Sequence, residues 1–392
     1  QTFTLSNSSN DWTGDLQLTT SANTTFSTTL NLGASNVIPD GPGKGNVIMY
    51  NGNATGSRTW FNLNGFDETI NGLVSAGATG NLTRRVVQNN LADSVSTLTI
   101  GAGDASATFN GTITSNSTIN STLNLKKIGA GTQTLEGVTS HTGSTVVEGG
   151  VLDVTGTLTA TSGVLITGGV FSYSNAAVLD RAVEINGGAF RYLSAGNYAG
   201  APTFTSGRLE GTNWNGTLSG LMIDTGKTVA PGTSPGTATT GNQTWGGGGS
   251  FELEINNATG TAGTDWDLLN VTDTLDISGL SSSNKFTIQL VSLDALNAPG
   301  LALNFDKTKT DPDAPGGYNW TFVTFATLSG TFASDKFAVD ATGFQNDFSG
   351  GSFQVRQSGN SLVLSYIPEP GTAGLVLGGL ALMALRRRRV RG

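Results

Sequence analysis

The sequence predicts an all-β protein: a right-handed parallel β-helix of about 19 residues per coil, then an antiparallel β-sandwich-like module and a short C-terminal transmembrane helix. Three observations predict it. The 392 residues include 56 Gly and only 12% charged residues. With abundant Ser, Thr and Asn this disfavours helices, because Gly costs backbone entropy and short polar side chains compete for backbone hydrogen bonds. Glycines recur every 19 residues through the centre, the mark of stacked equivalent units. Beyond them, longer segments alternate apolar and polar residues with the period of two that a strand requires. A disordered chain would lack the 18 Phe and 6 Trp and the recurring Leu, Val and Ile positions.

Residues 1–120 are rich in Asn and Thr and carry alternating stretches such as LQLTT and STLTI. They are expected to form an N-terminal cap and the first coils. Residues 121–245 carry the regular period. Gly131, Gly150, Gly169, Gly188, Gly207 and Gly226 lie 19 apart, and three positions before them stand Ile128, Val147, Ile166, Ile185, Phe204 and Ile223. Two positions after four of these glycines are Leu152, Phe171, Phe190 and Leu209. A 19-residue unit is too short to hold a helix and suits one coil of two or three strands, paired to the next coil at about 4.8 Å. The apolar slots then form an interior ladder, and the glycines fall where positive φ or close approach between coils is needed. The right-handed winding follows by analogy with parallel crossovers.

From the GGGG run at 246–249 the spacing breaks, and residues 246–366 are expected to form a separate β module. FELEIN, KFTIQLVSL, YNWTFVTFATL and SLVLSYI are longer alternating strands, suited to an antiparallel sandwich. Such a module covers the last coil, whose unpaired backbone groups otherwise invite edge pairing.

Residues 367–392 form a tail of different character. Pro368, Glu369 and Pro370 precede an apolar run from Gly371 to Leu385, closed by Arg386, Arg387, Arg388, Arg389 and, after Val390, Arg391. As a helix this run spans about 22 Å. Snorkelling arginines, with Tyr366 and Ile367, complete the crossing of a hydrocarbon core of about 30 Å. Arginines stay cytoplasmic, which places the body outside the inner membrane. The start at Gln1, with no Met, is what a removed signal peptide leaves; a chain cut at an arbitrary boundary reads the same.

The order Pro-Glu-Pro, short apolar span and Arg cluster resembles the PEP-CTERM sorting signal of Gram-negative bacteria that make exopolysaccharide. The resemblance implies an exosortase-like sorting protease as partner and transient anchoring in the inner membrane. Cleavage near the tripeptide then delivers the body to the cell surface or extracellular matrix. Leu125 to Gly137 (LKKIGAGTQTLEG), followed by Thr142 to Leu152 (TGSTVVEGGVL), resembles the autotransporter-associated β-strand repeat. Trp60 to Gly72 and Thr97 to Gly101 resemble the flanking coils of such proteins, and Ala230 to Gly236 with Gly263 to Val271 resemble their C-terminal module. These resemblances imply a β-helical passenger-like architecture and surface location, and supply no catalytic residues.

The absence of Cys and the single His exclude disulfides, thiolate metal sites and an imidazole cluster. A net charge of −8, with no basic stripe before the tail, excludes a general nucleic-acid binder. Asp265 and Asp267 flank Trp266 at a strand start, where alternation turns both carboxylates to one face beside solvent. Asp306, Asp311 and Asp313 are the weak candidates for binding a cation through oxygen; they lack the spaced series of a Ca²⁺ loop. His141 has no Ser or Asp motif around it and reads as a loop residue at a coil corner. The Gly-Ala-Gly runs at 101–103 and 129–131 read as turns, since no helix pattern follows to make a phosphate loop. Trp12, Trp60, Trp214, Trp245, Trp266 and Trp320 read mainly as core or cap packing, with sugar-stacking platforms as the alternative. No catalytic residue, metal or cofactor is expected.

The leading functional expectation is a non-enzymatic structural protein of the bacterial surface or matrix, with self-association through strand-bearing ends. The alternative is a carbohydrate-binding adhesin associated with exopolysaccharide. A β-helical polysaccharide lyase or hydrolase ranks last. It needs carboxylates, or a base with Lys or Arg, in register on adjacent coils, whereas Glu184 and Arg208 stand without matching partners.

Overall fold

Short alternating runs bounded by Gly, Asn and Ser are too brief for helices and pair readily side by side. The computed structural model describes residues 1–20, 26–52, 56–77, 84–309 and 318–368. Helical structure among them is confined to short 3₁₀ turns such as Ser117–Ile119. The chain divides into two compact units, one of Gln1–Ala230 with Ala238–Thr244, the other of Pro231–Thr237 with Trp245–Gly392.

The first unit is a stack of parallel coils. One sheet joins Thr2–Leu5, Thr28–Leu32, Thr59–Asn62, Arg85–Asn89, Thr112–Ser115, Val138–Ser140 and Thr157–Leu158 in that order. A second face runs through Glu68–Ile70, Val95–Ile100, Thr122–Lys127, Thr145–Val147, Val164–Ile166, Val183–Tyr192 and Pro202–Gly211. A third joins Ala107–Phe109, Thr132–Leu135, Val151–Val154 and Val170–Tyr173 to the long strand Val183–Tyr192. Long parallel sheets of this kind are the arrangement of a β-helix. Thr28 lies opposite Thr59, Thr59 opposite Arg85 and Val138 opposite Thr157, so steps of 31 and 26 residues shorten to 19. Residues 1–120 therefore contribute full coils whose turns vary in length.

The interior ladder follows the period. Val147, Ile166 and Ile185 stand in register with no exposed surface. Leu152, Phe171, Phe190 and Leu209 form a second buried file. Phe171 stacks on Phe190 with ring centroids 5.8 Å apart, and Tyr173 on Tyr192 at 6.1 Å. Each such side chain contributes about 1.5–3 kcal/mol by leaving water, and none does so without its neighbouring coil.

Two slots differ from the sequence expectation. Lys127, not Ile128, lies opposite Val147. The strand Thr122–Lys127 turns Leu123, Leu125 and Lys127 inward, so alternation within the strand overrides the spacing between glycines. At the other end Gly207 lies opposite Lys227. Ile223, although buried, belongs to a separate short strand, Met222–Ile223.

In the second unit the strands are as alternating as expected, but their pairing departs from an antiparallel sandwich. Ser250–Ile255, Phe286–Ser292 and Phe337–Gly343 pair in parallel, as do Leu268–Asp276 and Asn319–Ser329. The chain between Ile255 and Phe286 is long enough for a crossover, which parallel pairing requires. Antiparallel pairing joins Asn319–Ser329 to Ser361–Pro368 and Ser361–Pro368 to Gly351–Ser358. The last two are linked by Gly359-Asn360, with Gly359 at φ 55°, a two-residue turn that only a hairpin accommodates. Trp245 stacks on Phe286 at 4.2 Å in the core of this unit. Pro368 ends the last strand. Glu369, Pro370, the expected transmembrane helix and Arg386, Arg387, Arg388, Arg389 and Arg391 lie outside the described residues.

Candidate functional site

Alternation turns several ionisable residues inward, and each meets backbone groups. Glu68, 1% exposed, accepts the Val37 N–H at 3.0 Å and the Ile38 N–H at 3.1 Å. Arg85, also 1% exposed, donates from Nε to Met49 O at 2.9 Å, from Nη2 to Ala76 O at 2.6 Å and from Nη1 to Asn110 Oδ1 at 3.0 Å. Lys127 Nζ donates to Ile128 O at 2.6 Å, Gly129 O at 3.2 Å and Gly149 O at 3.3 Å. Burial lowers the pKa of Lys127, and Asp104 opposes the shift.

His141 is fully buried at the turn before Thr145–Val147, with Nε2 3.0 Å from Thr145 Oγ1. Burial lowers its pKa to about 4.

Asp267 corrects the reading that it shares a solvent-side face with Asp265. It has no exposed surface and accepts the Gly236 N–H on Oδ1 and the Glu254 N–H on Oδ2, each at 2.8 Å. Burial, then the Glu254 charge, pushes its pKa well above the carboxylate range. Asp265 instead closes its own loop by accepting the Thr261 N–H at 2.7 Å. The strand Leu268–Asp276 begins only after both residues, so strand alternation does not govern them. These buried groups fasten one stretch of backbone to another.

Glu68 gives this fastening a pH signature. Burial raises its pKa from 4.5 to about 7, with Asp40 adding to the shift and the two N–H groups opposing it. The folded state therefore holds a proton that the unfolded state releases between pH 4.5 and about 7. This stabilising contribution is fully present below the unfolded pKa and is lost as pH rises through the folded one. The shift corresponds to at most about 3 kcal/mol. In urea unfolding of Glu68→Gln beside the wild type, the wild type is expected to lose stability relative to the variant from about pH 4.5 to about pH 7. A constant difference would show that Glu68 titrates normally.

On the outside, Arg208 is not isolated: its Nε lies 2.7 Å from Glu210, which also meets Arg191 at 2.6 Å. Asp306 is exposed and accepts the Thr308 N–H and Oγ1–H at 2.9 and 2.7 Å, contacts that lower its pKa. Asp311 and Asp313 lie outside the described residues.

The six tryptophans separate clearly. Trp214, Trp245, Trp266 and Trp320 are buried, and Trp266 and Trp320 donate their indole N–H to Thr321 O and Ala258 O. Trp12 and Trp60 are half-buried. Thr59 and Phe61 point inward with no exposed surface, so Trp60 is turned to the outer face of the seven-stranded sheet. In the adjacent outward row Asn62 Nδ2 donates to Asn31 Oδ1 and Gln88 Nε2 to Asn62 Oδ1, both at 2.8 Å. Beside them Asn116 Nδ2 donates to Asn90 Oδ1 at 2.9 Å. Thr29, Trp60, Asn62, Gln88, Asn90 and Asn116 line an open depression of about 370 Å³. Sequence reasoning singled out Trp60 but missed the amides, because steps of 31 and 26 residues hide their register.

Residues 125–154 match the family model described as passenger-associated-transport-repeat. The match runs from the strand Thr122–Lys127 to the end of Val151–Val154, within the coils where the sequence resembles an autotransporter-associated repeat. It supports a passenger-like, secreted or cell-surface protein. No curated protein was found to match the chain.

Proposed function

We propose that this chain is a non-enzymatic structural protein of the bacterial cell surface or extracellular matrix, whose first unit is a right-handed β-helix. One observation carries the reading. Four ionisable residues turned into the body, Glu68, Arg85, Lys127 and Asp267, are each committed to backbone groups of the chain itself, and the buried His141 meets the Thr145 hydroxyl. Groups used in this way serve cohesion between coils, whereas catalysis needs a titratable group facing a substrate. Delivery is assigned to the tail: Pro368, Glu369 and Pro370 as the motif read by an exosortase-like protease, the apolar run as a transient inner-membrane anchor, and the arginines as its cytoplasmic stop. Self-association in the matrix follows as the means by which such a body becomes structural. The test is where native cells place the protein. Recovery from the surface or medium is expected, and confinement to the cytosol would overturn the reading.

A second reading, carbohydrate binding, is favoured by the depression beside Trp60. A protein held in an exopolysaccharide matrix gains retention from direct contact with the polymer.

A further inference from the structure

We infer that the outer face around Trp60 is a binding site for a neutral polysaccharide chain lying across the coils; the inference rests on the carbohydrate-binding reading above. The depression is lined by two amide pairs, a hydroxyl and an indole: Thr29, Trp60, Asn62, Gln88, Asn90 and Asn116. Every lining side chain is uncharged, and amides both donate and accept, which suits sugar hydroxyls that do the same. An indole supplies a flat apolar face for the C–H surface of a sugar ring. Pockets that fix a ligand combine an aromatic wall with a few placed polar groups in this way.

The amides are also oriented. Asn62 donates to Asn31 and accepts from Gln88, so the row runs in one direction across three adjacent strands. Its hydrogen bonds fix the amides to one another without consuming their full capacity, since each amide carries two donor hydrogens and two acceptor lone pairs. The row repeats at the strand spacing of about 4.8 Å, with Gln88 half-exposed and Asn62 7% exposed. The exposed Arg58 guanidinium lies over the Trp60 ring, 5.7 Å from its centroid, so a sugar ring stacking on that face takes the place of this side chain. The chain's net charge of −8 disfavours approach of polyanionic chains, so the neutral class is selected.

The test is affinity electrophoresis of the purified full chain through gels containing dextran, galactomannan, hydroxyethylcellulose or alginate. Retardation by at least one of the three neutral polymers is expected. Trp60→Ala and, independently, Gln88→Leu should weaken it by about tenfold or more, while Trp12→Ala leaves it unchanged. Both site residues sit on the outer face, and unfolding midpoints of the variants confirm that the fold persists. Retardation by no polymer overturns the inference together with the carbohydrate-binding reading, whereas retardation by alginate alone overturns the neutral class and leaves that reading standing. Retardation by a neutral polymer that both folded site variants retain overturns the site assignment and leaves that reading standing.

Discussion

Arg85→Ala is expected to destabilise the N-terminal coils by about 3 kcal/mol or more. The guanidinium is 1% exposed and binds Met49 O, Ala76 O and Asn110 Oδ1. Two of these acceptors lie on the paired strands Val47–Asn51 and Leu73–Gly77. Alanine leaves acceptors buried without donors, each costing about 1–3 kcal/mol, and opens a cavity in a body whose coils depend on their neighbours. Arg85→Met restores most of the volume but none of the hydrogen bonds, and should fall between alanine and the wild type. Hydrogen exchange of the amides in 47–51 and 73–77 measures this directly as a reduced opening free energy. A loss below about 1 kcal/mol would mean that other groups satisfy those acceptors.

The second large effect concerns the glycine ladder. Gly150 sits at φ 58°, and a Cβ there would meet Gly131 O at 2.2 Å and Gly129 O at 2.5 Å. Gly150→Val combines a left-handed backbone with a β-branched side chain driven into the preceding coil's carbonyls. The expected cost is about 3 kcal/mol or more. Gly149, its neighbour, gives the internal control, because its Cβ would lie 3.1 Å from Gly129 O at an ordinary φ. Gly149→Ala should cost about 1 kcal/mol or less. Thermal unfolding of the two variants separates steric contact between coils from mere chain entropy, which glycine replacement alters at both positions. Equal midpoints would contradict the role given to the ladder.

The parts of the fold legible in the sequence are those where physics forces a constant spacing. Val147, Ile166 and Ile185 must stack, and glycine must recur at Gly150 and Gly169, where φ is 58° and 62°. Both constraints repeat with each coil, so both show as a period. Residues 1–120 obey the same pairing rules with turns of unequal length. Their coils therefore leave no period to count, and the amide row through Asn62 and Gln88 was hidden with them.

Lys127 was hidden for another reason. A lysine at an inward strand position reads as exposed unless the carbonyls that receive it, here of Ile128, Gly129 and Gly149, are known to converge. In the second unit alternation identified the strands but carries no information on direction, which depends on the length of the connections. Asp267 lies in a segment before its strand, where its partners Gly236 and Glu254 come from distant parts of the chain.

The central claim, a stacked β body delivered to the cell surface, is tested most directly by intact-mass spectrometry of the protein recovered from the surface and medium of its native cells. The account predicts a chain ending near Pro368, Glu369 and Pro370, without the residues from Arg386 to Arg391. A chain found only inside the cell, with the arginine tail intact, would contradict it.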